Sequence, residues 1–405
     1  MTESTDRRIE TSAVEPPAVP SRAWPSLLNL FLAFARLGLS AFGGPSMIAY
    51  IRRVSVEQEH WLDAEAFGDG VAFCQMIPGA TAMQAAAYVG LRKRGVAGAA
   101  VCFIGFGLPA FLLMTAFAAL YGATHELPAV VSAFTGLQAI VVSIVANAAY
   151  NFGRTTLKNW RHILIAAAAA GLFIYGANPV LVILAAAAAG WIVLRTEPEA
   201  RKGTPSPIDF SFVKPFSAIL GAALAGLLVL YLFDRKLFDL SVLLLRIDLT
   251  AFGGGFASVP LMLHEVVDVR HWLDFSTFMN GIILGQATPG PIVITATFIG
   301  YLLYGLPGGV IATVSIFLPS FLLVIGGFPF FARLQSSGIF QRAVAGVLCS
   351  FVGLIVAVIL RFAGNVAWDG KTILLAGAAL VALLLKVDVF WVVLGGVVLS
   401  LLLFL

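Results

Sequence analysis

Charge is what this chain has least of. Asp, Glu, Lys and Arg supply 11% of its 405 residues against 60% hydrophobic residues, where a soluble domain carries about 25% charged residues. Mean hydropathy is +0.96. No water-soluble fold of this length could hide so much apolar surface, which excludes a soluble enzyme, a disordered chain and a nucleic-acid binder. Cysteine is scarce too: Cys74, Cys102 and Cys349 sit inside apolar segments without metal-ligand spacing and read as small core hydrophobes. The five histidines are scattered, with no pair at i, i+4, so no metal site is expected. No nucleophile–base pair and no nucleotide or redox-cofactor fingerprint appears, so neither catalytic residues nor cofactors are expected. Short strands of alternating polarity are also missing, which argues against a transmembrane barrel.

What the chain has instead is apolar segments of about 20 residues, each long enough to cross a bilayer as a helix. The expected fold class is an all-α polytopic membrane protein whose partner is the lipid bilayer. Residues 1–23 are polar and rich in Pro, Ser, Thr and Glu, the composition of a disordered cytoplasmic tail, and do not resemble a signal peptide. A first transmembrane unit covers 24–194, with spans near 24–43, 66–90, 95–121, 128–152, 162–176 and 179–194. A polar cytoplasmic linker follows at 195–214, then an extra helix and loop at 215–239. The second unit, 240–405, holds spans near 240–256, 276–303, 308–331, 343–363, 371–385 and 389–405. With the extra helix this gives about 13 spans, the shortest of them readable as tilted pairs or half-crossings.

The chain repeats itself with a period of about 210 residues, the kind of self-similarity that sets the whole architecture. Ala41-Phe42-Gly43-Gly44 matches Ala251-Phe252-Gly253-Gly254, and Arg36 matches Arg246. His60-Trp61-Leu62-Asp63 matches His271-Trp272-Leu273-Asp274, Gln75 matches Gln286, and Pro78-Gly79 matches Pro289-Gly290. Further on, Pro109-Ala110-Phe111 matches Pro319-Ser320-Phe321, and Gly136 matches Gly346. The helix near 215–233 has no partner in the first half. Six spans return the chain to its starting side and a seventh flips the second half, so the halves are expected to lie inverted, as in many secondary transporters. Loop charges agree with the positive-inside rule. Arg92-Lys93-Arg94, Arg154, Lys158, Arg161 and the linker cations fall on one side, while the repeat counterpart of the Arg-Lys-Arg loop, 303–308, is uncharged, and Arg333 and Arg342 appear where the first half has no cation. Arg52 and Arg53 are exceptions unless their segment folds back.

A charge at the bilayer centre costs about 2.5–3.5 kcal/mol on insertion scales, so each one needs a reason. Arg36 and Arg246 are read as oxyanion contacts, because the planar guanidinium donates two parallel hydrogen bonds; snorkelling or pairing with an acid is the bland alternative. Seven residues after each comes a glycine pair, Gly43-Gly44 or Gly253-Gly254, poor helix material that breaks the backbone or simply ends a helix. Pro78-Gly79 and Thr288-Pro289-Gly290-Pro291 fall mid-span, where proline removes a backbone donor. The half-helix beyond such a break begins with free N–H groups and a positive dipole end, a ready anion site; a plain kink is the alternative. Gln75, Gln286 and Asn280 flank the breaks as further candidate ligands, along with Gly79, Thr288 and Gly290. Asp69 aligns with Asn280 and is read as a proton-coupling candidate or, equally, as an arginine counter-ion.

These residues resemble the chromate ion transporter family. The resemblance rests on Phe42-Gly43-Gly44-Pro45, Trp61-Leu62, Pro78-Gly79, Phe252-Gly253-Gly254 and Thr288-Pro289-Gly290-Pro291, in order and in duplicate over nearly the whole chain. It implies a multi-pass protein of the bacterial inner membrane that exports chromate, driven by the proton-motive force, and so confers chromate resistance. Two departures stand out: Ala80 lies where the second half has Pro291, and Gly255 where the first has Pro45, so the halves are not expected to contribute equally. The expected mechanism is alternating access around a tetrahedral dianion held between the halves. Sulfate or another anion as substrate, and a membrane-embedded enzyme, are the competing readings. A homodimer is an arrangement the sequence leaves open.

Overall fold

The computed structural model describes residues 24–42, 46–194 and 210–405. The tail 1–23, the candidate ligands Gly43 and Gly44, and linker residues 195–209 lie outside the described residues. Among those described the chain is all helical. The first half contains α1 (Leu27–Ser40), α2 (Ser46–Arg52), α3 (Ala64–Met76), α4 (Thr81–Thr124), α5 (Pro128–Thr156), α6 (Trp160–Ile174) and α7 (Pro179–Val193). After α8 (Val213–Phe233) the second half contains α9 (Arg235–Thr250), α10 (Gly255–Leu263), α11 (Phe275–Ala287), α12 (Thr295–Gly327), α13 (Phe331–Ser336), α14 (Gly338–Asn365), α15 (Gly370–Leu384) and α16 (Val389–Phe404). The halves correspond helix for helix: α1–α7 find their repeats in α9–α12 and α14–α16.

Length sorts these helices. Five stretches are long and apolar enough to cross a membrane: α4, α5, α8, the Ile292–Ser336 stretch that contains α12, and α14. The others are too short, since the 15 residues of α6 rise only about 22 Å against a hydrocarbon core of about 30 Å. Short helices therefore come as hairpins. Tyr88 Oη donates to the Ala66 carbonyl at 2.8 Å, and the Tyr88 ring packs on Gly70. A continuous helix would separate residues 66 and 88 by about 33 Å, so α3 and the start of α4 fold back on each other at Pro78-Gly79. The second half repeats this at Pro289-Gly290, with Gly281 against the Phe298 ring and Gly285 against Thr295. The preceding pair folds back as well. Trp61, beyond the π-helical turn Arg53–Gln58, stacks on Phe34 of α1 at 6.3 Å. This resolves the exceptional arginines: Arg52 and Arg53 lie toward the same end as Arg92-Lys93-Arg94. Asp63 and Asp274 cap the helices that follow, accepting from Ala66 N at 2.7 Å and Thr277 N at 2.9 Å.

α4 and α12 each contain a second sharp turn, at Arg94-Gly95 and Tyr304-Gly305. There two antiparallel helices touch through glycine, Gly90 on Gly98 and Gly300 on Gly308. Arg94 Nε ties the first turn to the start of α1 through the Pro25 carbonyl, 2.8 Å away. α8 has no buried residue; it is the connector that inverts the second half.

The ends of α1, α3, α9 and α11 come to the centre, where the halves exchange hydrogen bonds. Gly79 N donates to Ala251 O and Gly290 N donates to Ala41 O, each at 2.8 Å. Both glycines have positive φ, +116° and +110°, a conformation that L side chains strain to adopt. The partners are repeat equivalents with the halves exchanged, as a two-fold inverted duplication requires.

The glycine contacts give a direct test. A Cβ on Gly90 would sit 2.1 Å from the Gly98 carbonyl oxygen, while Gly171 in α6 faces open space. Gly90→Ala is expected to cost about 1–3 kcal/mol by overpacking and to lower the melting temperature of the purified protein. Gly171→Ala should leave it unchanged or raise it. Equal melting temperatures for the two variants would contradict the hairpin packing.

Candidate functional site

A cavity of about 920 Å³ runs from the end bearing Lys158 and Arg342 down to the central crossing. Its floor is made by Ala80, Thr81 and Ala82 at the start of α4, by Gly253–Phe256 at the start of α10, and by Pro291 and Ile292. Asn151, Phe152 and Thr155 of α5 and Gln75 of α3 form part of the wall, and Lys158, His162, Gln341 and Arg342 surround the mouth. Among the described lining residues there is no aspartate or glutamate. The charged side chains among the described lining residues are thus cationic, and two helix N-termini lie at the floor.

Those N-termini face each other. A Cβ on Gly254 would lie 3.2 Å from Thr81 Oγ1, so the first turns of α4 and α10 converge on one spot. The leading amides of a helix have no intrahelical acceptor, and the dipole adds a partial positive charge. Gly254 is the N-cap of α10 with φ 88°; without a side chain it lets an anion approach that backbone. Two opposed helix N-termini and a threonine hydroxyl below a mouth lined by Lys158 and Arg342 are chemically suited to an oxyanion.

Directly beneath the floor lies a carboxylate. Asp248 on α9 is fully buried, and its Oδ2 accepts from Ser320 N at 2.8 Å and Ser320 Oγ at 2.7 Å. Ser320 Oγ in turn accepts from Ala80 N at 2.9 Å. Gln84 Nε2 donates to the Pro78 carbonyl at 2.6 Å. Asp248 Oδ1 and Gln84 Oε1 have no partner among the described residues. Hydrogen bonds to a charged acceptor are worth about 1.5–3 kcal/mol each, comparable with the about 2.5–3.5 kcal/mol that a buried membrane charge costs. Neither the charged nor the neutral acid is strongly disfavoured by this balance.

The symmetric break has no such cluster. The repeat position of Asp248 is Gly38, that of Ser320 is Ala110, and that of Gln84 is Thr295. Gly38 packs on the Phe106 backbone, and the Ala110 methyl fills the space beside Gly290.

The sequence candidates divide accordingly. Gln75, Gly253 and Gly254 line the cavity. Gly79 and Gly290 sit at the crossing just behind it. Arg36 is exposed on α1. Arg246 lies on the exposed face of α9 and pairs with Glu265 at 3.7 Å, an acid that Arg270 shares at 3.8 Å. Neither arginine is part of the cavity lining. Asn280 uses its amide to bridge α4 and α5, donating to Tyr121 Oη and accepting from Gln138 Nε2, both at 3.0 Å. Thr288 Oγ1 donates to the Gly285 carbonyl at 2.9 Å, and Gln286 is buried with Nε2 unpartnered among the described residues. Asp69 is half-buried on α3, level with Tyr88 and displaced from the break toward the end that bears Arg92. Sequence reasoning passed over Asp248, Ser320, Gln84, Thr81 and Arg342. The usable signal was the mismatch of Asp248 with Gly38 and of Ser320 with Ala110 inside otherwise matched helices. Among the described residues no group of His, Cys, Asp and Glu could hold a metal.

An all-α, multi-pass protein with inverted halves meeting at broken helices around a basic cavity has the architecture of a membrane transporter. Residues 28–191 and again 238–401 match the chromate transporter family, and the chain belongs to that family. It is 42% identical to an uncharacterized transporter of Methanocaldococcus jannaschii, over 93% of this chain and 94% of the relative. It is 30% identical to a chromate transport protein of Cupriavidus metallidurans, over 89% of this chain and 88% of that one. It is also 30% identical to a chromate transport protein of Pseudomonas aeruginosa, over 85% and 81% respectively. No solved structure is significantly similar. The protein is thus a multi-pass component of the plasma membrane.

The cavity is testable by thiol labelling, because the native cysteines are all buried. Asn151→Cys, on the wall, should react with a charged, membrane-impermeant thiol reagent in everted vesicles. Leu112→Cys, exposed on the apolar face of α4, should remain unlabelled. Labelling of Leu112→Cys alone would contradict the cavity's position.

Proposed function

We propose that the protein is a secondary transporter that exports chromate by alternating access, drawing on the proton-motive force, and so gives chromate resistance. The observation that carries this reading is the convergence of the α4 and α10 N-termini, Thr81 facing Gly254, on the floor of a cavity with a basic mouth. A tetrahedral dianion offers oxygens in several directions at once, and opposed sets of N–H donors suit it better than a single helix end would. Gln75 is a neutral donor on the wall. Lys158 and Arg342 raise the local anion concentration at the mouth.

The positive-inside rule assigns the end with Arg92-Lys93-Arg94, Lys158 and Arg342 to the cytoplasm, so this conformation is open to the side from which an exporter loads. At the opposite end we read an ion-pair cluster as the closing contact. Arg361, on the far end of α14, forks onto both carboxylate oxygens of Asp268, and His264 Nδ1 lies 3.7 Å from the same acid. The repeat position of Arg361 in the first half is Asn151, a neutral residue of the cavity wall. One end thus has a clamp and its pseudo-symmetric counterpart lacks that arginine, which accounts for which end is open. Transport requires the two ends to alternate, and the clamp must open when the cytoplasmic mouth closes.

Two measurements test this reading. In proteoliposomes, Lys158→Gln and Arg342→Gln should each raise the half-saturating chromate concentration about tenfold, as expected for loss of about 1.4 kcal/mol of charge attraction. Arg36→Gln and Arg246→Gln, assayed beside them, should change it less; the reverse order would relocate the site to the sequence-derived arginines. Competition by sulfate in the same assay reports the choice between the two dianions. Asp268→Asn should loosen the clamp and slow labelling of Asn151→Cys several-fold by populating the alternative conformation. Unchanged labelling would show that the clamp does not set the resting state.

A further inference from the structure

Among the described residues, Asp248 is the fully buried acid that the anion site itself does not use. It stands behind the cavity floor, one hydroxyl away from the amide that helps form it: Asp248 Oδ2 to Ser320 Oγ at 2.7 Å, Ser320 Oγ to Ala80 N at 2.9 Å. A Cβ on Gly79 would touch Ser320 Oγ, Gln84 Nε2 and Asp248 Oδ2 together, at 2.0, 2.8 and 3.2 Å. The whole cluster is therefore packed around the broken backbone that the two halves share. Two acceptor oxygens, Asp248 Oδ1 and Gln84 Oε1, lack donors among the described residues. A proton on Oδ1 converts one of these acceptors into a donor.

No charge faces Asp248 from the elements packed against α9, among the described residues. α12 and α10 contain no charged residue. On α4 the charged residues are Arg92, Lys93 and Arg94 at the Gly95 turn, and the uncharged titratable ones are Tyr88, Cys102 and Tyr121. α8 carries only Lys214 in its first turn. On α9 itself Arg246 lies on the exposed face, paired with Glu265. With no counter-ion, the charge of Asp248 responds chiefly to what occupies the cavity.

We propose that Asp248 is the proton-binding group of the transport cycle, taking up one proton as the dianion settles on the Ala80–Thr81 floor, so that proton and anion cross together. This rests on the proton-coupled reading above and gives it a site and a sign. A dianion beside the floor repels a carboxylate beneath it, which favours the neutral acid. When the dianion leaves, the carboxylate regains its stability through Ser320 and the proton departs on the same side. The carboxylate gains and loses one proton to water, and no other reactant is needed. Net charge moving with each chromate is −1, so of the two components of the proton-motive force it is the interior-negative potential that drives export, while the pH gradient opposes it. Gly38 stands at the equivalent position of the other half, so there is one such proton site per chain.

The test uses the full-length protein in proteoliposomes. Acid on the side that holds chromate should accelerate its movement in the wild type, and Asp248→Asn should abolish that response while chromate–chromate exchange persists. The chromate-induced infrared difference spectrum of the wild type should contain a carboxylic-acid carbonyl band. That band should vanish in Asp248→Asn and shift in frequency in Asp248→Glu, which keeps an acid and should retain the pH response even if the Asn variant does not fold. A wild type indifferent to pH gradients and lacking the band overturns both proton coupling and this site. A wild type that responds, with an equal response in Asp248→Asn or an unshifted band in Asp248→Glu, overturns Asp248 alone. Acceleration by alkali on the chromate side overturns joint passage.

Discussion

The structure depends on how it satisfies broken backbone in an apolar interior. Four helices stop near the centre, and each stop leaves amides and carbonyls without intrahelical partners, which a membrane protein must satisfy internally. The answer is reciprocal: Gly79 N bonds to Ala251 O, and Gly290 N bonds to Ala41 O, both at 2.8 Å. Each half completes the other's break. Each half's hairpin tip is completed by the other half, so the two halves are packed as one unit at the crossing. The same crossing forms the floor of the cavity, where the first turns of α4 and α10 converge.

Symmetry supplies the frame and its violations supply direction. Where the second half has Asp248, Ser320 and Arg361, the first has Gly38, Ala110 and Asn151. The first two differences place one buried acid beside one break only. The third gives one end of the molecule a bidentate ion pair and leaves the other without it. A transporter with identical halves would rest equally in both orientations. On the proposed alternating-access cycle these differences would bias it toward one, and the proposed proton site lies on one side of the pseudo-twofold relation.

Much of this was legible in the sequence. Composition fixed the class, matched Arg, Gln, Pro and His-Trp-Leu-Asp positions revealed the duplication, and the unpaired span near 215–233 with the loop charges pointed to its inversion. The Pro-Gly breaks were visible because proline and glycine act on the backbone locally. What could not be read was the direction taken by the chain after each break. Hydropathy is the same for a helix that continues and one that turns back, so the pairing of Ala66 with Tyr88 emerged only in three dimensions. The arginines lie away from the cavity for a related reason. Arg36 and Arg246 stand out on a hydropathy scale, yet Leu37, Gly38, Ile247 and Asp248 take the buried face of those helices. Asp248 sits only two residues from Arg246, too close in sequence to share its face of the helix, and Arg246 pairs with Glu265 instead. The mouth cations lie near loops, where a charge looks ordinary in one dimension.

The central claim is that chromate sits between the opposed helix N-termini at Thr81 and Gly254. Locating chromium directly, by anomalous X-ray scattering from crystals of the full chain grown with chromate, tests it most plainly. A chromium peak on the cavity floor, within hydrogen-bonding reach of the first-turn amides of α4 and α10, is the expected result. A peak instead beside Arg36 or Arg246, with the floor empty, would contradict the account.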